Sequence, residues 1–273
     1  MNRNARPQEW VATVFQNRPH GGGYFTLSLL LPPRFPAVSA GQFAMLAVGG
    51  EPEILLRRPM AFCDQTRKGK NRSVDILYAV VGGGTHRMSR LRKGDAVSLL
   101  GPIGNSFSTP KKTERWMVVA GGVGIAPFFL YMRQISSPHR KNVQLLLGFR
   151  EKSQLSIARR FRYYGVRPLS AVEMGGGDLK GTVIDLMERE FHERRPTRIL
   201  TCGPEKMMQR VFEVAKKEKI PCEASLEAKM GCGLGVCLSC VTDFRPGSRA
   251  GGYSLVCQDG PVFRMDRGLP YQK

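Results

Sequence analysis

Cys232, Cys237, Cys240 and Cys257 are spaced Cys-x4-Cys-x2-Cys-x16-Cys near the end of a 273-residue chain. Four soft thiolates at this spacing suit a [2Fe–2S] cluster, which obliges the chain to fold a tight loop around inorganic sulfur and iron. The run from Met230 to Cys240 is built for such a loop. Gly231, Gly233 and Gly235 let the backbone curl and turn N–H groups inward, where they hydrogen-bond sulfur. A structural zinc site also takes four Cys, but it usually shows two Cys-x2–4-Cys knuckles, and only one can be drawn at a time here because the two such spacings share Cys237.

The remaining chain is long enough for two or three domains, each with its own core. No apolar run approaches a membrane span, and the first ten residues hold no apolar segment that would serve as a signal peptide. Seven Cys, an odd count with four in one array, fit a reducing cytoplasm better than a disulfide framework. The net charge of +20 is spread over the first two-thirds, while the last fifty residues are nearly neutral. Nucleic-acid binders more often gather such charge into one patch or arm, so it reads as a solvated basic surface or as attraction for polyanionic cofactors and an acidic partner. The four His are scattered, and no nucleophile–base constellation is present, so hydrolytic chemistry has no support and no side chain is assigned a catalytic role.

Residues 1–110 read as short strands punctuated by Gly, Pro and charge: Trp10–Gln16, Tyr24–Leu31, Gln42–Val48, Met60–Asp64, Val74–Val81 and Ala96–Leu100. Six strands at this spacing predict a small antiparallel β-barrel, with Thr66 to Arg72 as an exposed hairpin loop. Arg58, beside Pro59, can present a bidentate fork to a phosphate. Leu77-Tyr78-Ala79 runs into Gly82-Gly83-Gly84-Thr85 and a helical stretch over His86–Leu91; free N–H groups and a hydroxyl there make an anion site.

After a charged linker, Lys111 to Arg115, the periodicity changes. Trp116–Ala120 is a continuous apolar strand, followed by Gly121-Gly122-Val-Gly124-Ile-Ala-Pro127 and a helix through Gln134, the opening of a βαβ unit that lets a pyrophosphate approach. Strands over Val143–Phe149, Leu169–Glu173 and Arg198–Cys202 and helices over Ser153–Tyr163, Val183–Glu193 and Pro204–Lys217 complete a parallel α/β domain, residues 111–222. Arg150 suits a 2′-phosphate and Glu151 a ribose hydroxyl, so NADH and NADPH both stay open. Cys63 and Cys222 read as structural.

Taken together, Arg58-Pro59-Met60-Ala61, the Gly84-Thr85 helix start, Gly101-Pro-Ile-Gly-Asn-Ser-Phe107, Gly121-Gly122-x-Gly124-x-x-Pro127 and Cys202-Gly203-Pro204 resemble the ferredoxin–NADP reductase superfamily. That resemblance implies FAD on Arg58, Pro59, Met60, Ala61, Leu77, Tyr78, Ala79, Gly84 and Thr85. It implies NAD(H) or NADP(H) on Gly121, Gly122, Gly124, Pro127, Cys202, Gly203 and Pro204, with Cys202 near the nicotinamide and flavin rings. Ala61 stands where a Ser or Thr is usual and Ala79 where relatives are often basic. With Ser225-Leu-Glu-x-x-Met-Gly-Cys232 and Val256-Cys257-x-Asp-Gly-Pro-Val-Phe263 added, the chain resembles the electron-transfer subunits of type B, NAD-dependent dihydroorotate dehydrogenase. The implied protein is a multidomain α+β oxidoreductase subunit: a flavin barrel (1–110), a nicotinamide domain (111–222) and a [2Fe–2S] segment (223–273) held by the four Cys. The implied partner is a catalytic dihydroorotate dehydrogenase subunit, with neither nucleic acid nor membrane. Small subunits of NADPH-dependent ferredoxin oxidoreductases and sulfide dehydrogenases share the layout and remain an alternative. A zinc-containing nucleic-acid-binding protein is the alternative of another class.

Overall fold

The computed structural model describes residues 7–49, 56–111, 113–242 and 253–265. Its first seven strands are β1 (Gln8–Gly21), β2 (Tyr24–Leu31), β3 (Phe43–Ala47), β4 (Arg58–Ala61), β5 (Asp64–Lys68), β6 (Asn71–Ala79) and β7 (Ala96–Ile103). They form one curled antiparallel sheet in the order β4-β3-β7-β1-β2-β6-β5, with helix α1 (Gly83–Ser89) between β6 and β7. Period-2 alternation gives the sheet an apolar inner face. Ala12 and Val14, Leu27 and Leu29, Ala44 and Leu46, Val74 and Ile76, and Val97 and Leu99 all face one core. Trp10 closes its end, its indole N–H donating to the carbonyl of Gly101 at 2.9 Å.

The single strand expected over Met60–Asp64 is two strands. β4 pairs with β3 and β5 pairs with β6, so the chain changes partner at Phe62–Cys63. Both residues are buried and apolar, which disguises the crossover as continuous strand. The loop expected over Thr66–Arg72 narrows to Gly69–Lys70, because β5 is an edge strand whose outward charges are its solvent face.

The second sheet contains β8 (Trp116–Gly121), β9 (Val143–Phe149), β10 (Leu169–Val172), β11 (Leu179–Lys180), β12 (Arg198–Cys202) and β13 (Cys222–Ser225). A short hairpin, β14 (Val241–Thr242) and β15 (Ser254–Leu255), and the turn-length helix Val256–Asp259 precede β16 (Val262–Arg264). The order is β11-β10-β9-β8-β12-β13-β16, parallel except for β16, which runs antiparallel to β13. Through β13 and β16, described residues on the C-terminal side of position 222 are thus woven into the second sheet. Helix α2 (Ala126–Gln134) and the short helices α3 (Ser137–Arg140) and α4 (Leu155–Ala158) precede two longer ones, α5 (Val183–Glu193) and α6 (Glu205–Lys217). The helix expected over Ser153–Tyr163 is α4 flanked by 3₁₀ turns at Lys152–Gln154 and Arg159–Tyr164. Ala158, Phe161 and Tyr164 are all buried at three-residue spacing, which matches a 3₁₀ repeat better than an α-helical one.

Charge joins the two halves. Asp64 of β5 is almost fully buried and accepts from Arg133 Nε and Nη2 (2.5 and 2.9 Å), Arg160 Nη2 (2.6 Å) and the Tyr164 hydroxyl (3.0 Å). Arg160 Nη2 also reaches Asp75 of β6 at 2.7 Å. Burial alone would raise the Asp64 carboxyl, but the two guanidiniums hold it below its ordinary value.

Candidate functional site

At the start of α1, the Thr85 hydroxyl accepts the N–H groups of Val81 (2.9 Å) and Gly82 (3.1 Å) and donates to Gly82 O at 3.0 Å. The expected role of that hydroxyl as an anion ligand is therefore replaced by a shaping role. The first-turn N–H groups are left as the donors an anion could meet. Arg58 lies directly across: a Cβ on Gly84 would overlap its guanidinium, so Gly84 is what lets the fork reach the helix start. Both border a cavity of about 780 Å³ lined also by Val48, Gly49, Arg87 and Arg90, a basic wall suited to a diphosphate. Met60 and Ala61 follow Arg58 on β4, half-buried against the barrel core, with Pro59 exposed between. The Tyr78 side chain does not join this cavity. It is buried, stacked on Phe25, with its hydroxyl donating to Asn17 Oδ1 at 3.1 Å. Leu77 lines a separate cleft with Thr26, Cys63 and Arg160, and Ala79 pairs with Tyr24.

The second site follows from topology. From β8 the sheet proceeds outward one way through β9, β10 and β11, and the other way through β12 and β13. The carboxyl ends of β8 and β12 are therefore the switch point where open α/β sheets form their ligand crevice. The two glycine turns meet there. A Cβ on Gly124 would lie 2.6 Å from Gly203 Cα and collide with the Cys202 carbonyl. A Cβ on Gly203 would lie 3.0 Å from both Gly121 N and Gly121 O. Gly122 has φ +56 and faces the Tyr24 hydroxyl. Gly121, Gly122, Gly124, Cys202 and Gly203 are thus brought together, with Pro127 buried in the first turn of α2. Pro204 stands just before α6, at its N-cap. Cys202 is buried and its thiol is pushed up by that burial. Sequence reasoning missed its neighbours. Ser225 is its register partner on β13 and hydrogen-bonds its thiol, and the nearby Glu227 carboxyl is raised by burial. Only the parallel β12–β13 pairing reveals them. Arg150 and Glu151 are both exposed, their N–H groups tied to Gln154 Oε1 at 3.0 and 3.1 Å.

The four array cysteines fall into two pairs. Cys232 and Cys237 exchange backbone N–H contacts with each other's sulfur at 3.4 and 3.5 Å, and Leu234 N–H points at Cys232 Sγ at 3.3 Å. Cys240 and Cys257 are buried with their sulfurs 3.2 Å apart. Gly233 (φ +71), Gly235 (φ +79) and, against its side-chain preference, Leu238 (φ 56) make the loop. Hydrogen bonds from Ser239 and the Cys232 backbone pull the Cys237 thiol down to about 6, and the Cys257 hydrogen bond brings Cys240 to about 6 while Cys257 is pushed up. Among the described residues, no three His, Cys, Asp or Glu side chains converge on one ion position. Two thiol pairs with inward N–H donors fit a two-iron cluster, which these four Cys would hold.

The turn that follows Cys257 is fixed to the barrel. Asn105, after β7, donates from Nδ2 to Asp259 O (3.1 Å) and Val262 O (2.9 Å), and its Oδ1 accepts Val262 N–H at 2.9 Å. Asn105 N–H donates to Gly260 O at 2.8 Å.

Residues 227–267 match the model of the iron–sulfur cluster binding domain of dihydroorotate dehydrogenase B, and residues 118–213 match the oxidoreductase NAD-binding domain. The dihydroorotate dehydrogenase B (NAD(+)) electron transfer subunit of Desulforamulus reducens is 34% identical over 226 residues, 82% of this chain and 84% of its own. That of Clostridium acetobutylicum is 32% identical over 253 residues, covering 93% and 94%. Among solved structures, an NADH-dependent reduced ferredoxin-NADP oxidoreductase superposes with TM-score 0.78 at 25% identity, covering 93% of this chain and 87% of that one. A Neisseria gonorrhoeae ferredoxin NADP+ reductase with bound FAD and NADP shares the fold at TM-score 0.61 and 18% identity, over 78% of this chain and 92% of its own. With the cysteine pairs, the crevice and the barrel in the same order along the chain, these likenesses place it in the family of dihydroorotate dehydrogenase B electron transfer subunits.

Proposed function

We propose that this chain carries electrons between NAD(H) and a catalytic dihydroorotate dehydrogenase subunit, through FAD and a [2Fe–2S] cluster. Bound flavin would convert the two-electron hydride chemistry of nicotinamide into the one-electron steps an iron–sulfur cluster accepts. The protein's own contribution is positioning. Arg58 and the α1 N–H groups hold the flavin diphosphate, β4 and the end of β6 support the ring, and the Gly121–Gly124 and Cys202–Gly203 turns admit the dinucleotide. Cys232, Cys237, Cys240 and Cys257 ligate the cluster. No side chain need donate or remove a proton. The relatives are named for NAD(+), which supports NAD(H) rather than NADP(H) here. No helix among the described residues is long and apolar enough to cross a membrane. A cytoplasmic location rests on the unoxidised cysteines that the cluster requires.

The observation that carries this reading is the two-by-two grouping of the thiols, with the turn after Cys257 hydrogen-bonded to the flavin barrel through Asn105. It supports a two-iron cluster near the barrel as the next electron carrier, over the mononuclear zinc alternative. Leu234, Val236, Leu238 and Val241 are exposed around the cluster loop, an apolar rim suited to partner docking. Anaerobic purification tests the proposal. FAD, iron and acid-labile sulfide should be present in ratios of about 1:2:2, as one flavin and one two-iron cluster require, with a dihydroorotate dehydrogenase retained from the native cell. Zinc without flavin, or retention of a glutamate-synthase-like flavoprotein instead, would overturn it.

A further inference from the structure

Strand β3 faces two ways. Ala44 and Leu46 point into the barrel, whereas Phe43 and Met45 belong to a second core shared with Met230, Cys240, Leu255 and Cys257. Met45 is fully buried there and stands opposite Pro59 of β4, the strand that carries Arg58 and Met60. Its side chain meets the cluster loop at Gly233. A Cβ on Gly233 would lie 2.7 Å from Met45 Cγ, 3.3 Å from Met45 Sδ and 3.3 Å from Ile103 Cδ1. Gly233 adjoins the ligand Cys232 and takes φ +71, so the backbone beside that ligand rests on the thioether with no side chain between. From β4 to the cluster loop, one cross-strand step and one side chain cover the whole distance.

We propose that Met45 is the positioning residue that seats the cysteine loop against the flavin-binding strand and so sets the spacing over which electrons pass between the two cofactors. This rests on the reading of β4 as the flavin strand. Methionine suits such a seat, because an unbranched, polarizable side chain fills an irregular gap without a void. Removing it leaves Gly233 facing a cavity whose lining has lost its contacts, and a loop free to settle elsewhere. Ile103 alone cannot replace it, since it touches Gly233 only at its far methyl.

The test uses the full chain with both cofactors, reduced anaerobically with NADH in a rapid-mixing experiment. Flavin bleaching and the electron-spin signal of the reduced cluster are followed separately. In Met45→Ala, flavin bleaching should keep its wild-type rate while the cluster signal appears at least about fivefold more slowly and with an altered line shape. Met45→Leu, close in volume, should restore both to within about twofold. If Met45→Ala does not accumulate folded, Met45→Val, which keeps the barrel wall but not the reach to Gly233, should show the same slowing. Wild-type cluster reduction and line shape in a folded variant with full flavin and iron content would overturn the proposal. Wild-type protein lacking flavin or iron would instead refute the proposed function on which it rests.

Discussion

Gly124 reads in sequence as part of a phosphate-binding turn, yet in the structure its missing Cβ is what lets the turn sit on Cys202 and Gly203. Gly124→Ala should cost about 1–3 kcal/mol of stability through overpacking. It should also raise the dissociation constant for NADH at least tenfold, since the two turns form opposite lips of one crevice; a titration of flavin reduction with a thermal melt checks both. Arg58 sets its guanidinium against Gly84 at the helix start. Arg58→Ala should lose a charge-assisted contact of about 1.5–3 kcal/mol and release flavin on gel filtration, and Arg58→Lys should recover only part of it. The cysteine array is legible from spacing alone, and so is the glycine in the flavin turn. Thr85 is half legible: its place follows from the sequence, but only coordinates show its hydroxyl spent within the turn. Ser225 and Glu227 are invisible as neighbours of Cys202, because only β12–β13 pairing brings these separate segments into register.

At the level of elements, periodicity reveals the barrel and the α/β sheet, and fails where a strand changes partners. Nothing in Phe62-Cys63 marks the passage of the chain from β3 to β6. Likewise, no local pattern says that β13 and β16 extend the nicotinamide sheet and tie the cluster segment to it. The contact between barrel and sheet through Asp64 is another such long-range feature. Asp64→Ala removes the acceptor shared by Arg133 and Arg160 and should destabilise the chain by about 3 kcal/mol, the lower end for breaking a buried pair because Arg160 keeps Asp75. The pH dependence follows its sign. The Asp64 carboxyl is depressed in the folded protein, so its stabilisation is complete above the unfolded value of about 3.9 and is lost as pH falls through the lower folded value. Wild-type and Asp64→Ala proteins should therefore differ most in denaturant midpoint near neutrality and converge in strong acid. A constant difference at all pH values would contradict this assignment.

For the whole molecule, order along the chain is not order in space: the cysteine loop, late in the sequence, rests on the flavin barrel that opens it, with its far side exposed. The exposed apolar rim suits partner binding at the loop, away from the nicotinamide crevice. Val236 is 80% exposed, and Val236→Asp should weaken capture of the catalytic subunit by at least about 2 kcal/mol if it is a central contact, leaving NADH-driven flavin reduction unchanged. The large positive charge lies outside the cluster segment, so raised salt should affect NADH binding more than the docked partner's dissociation. The most direct measurement is anaerobic addition of NADH to the isolated chain, followed by electron spin resonance. Bleaching of the flavin together with a reduced [2Fe–2S] signal, abolished in Cys237→Ser while the flavin still bleaches, is the expected result. A flavin that bleaches without any cluster signal in the wild-type chain, or a protein with no flavin to bleach, would contradict electron transfer from flavin to cluster.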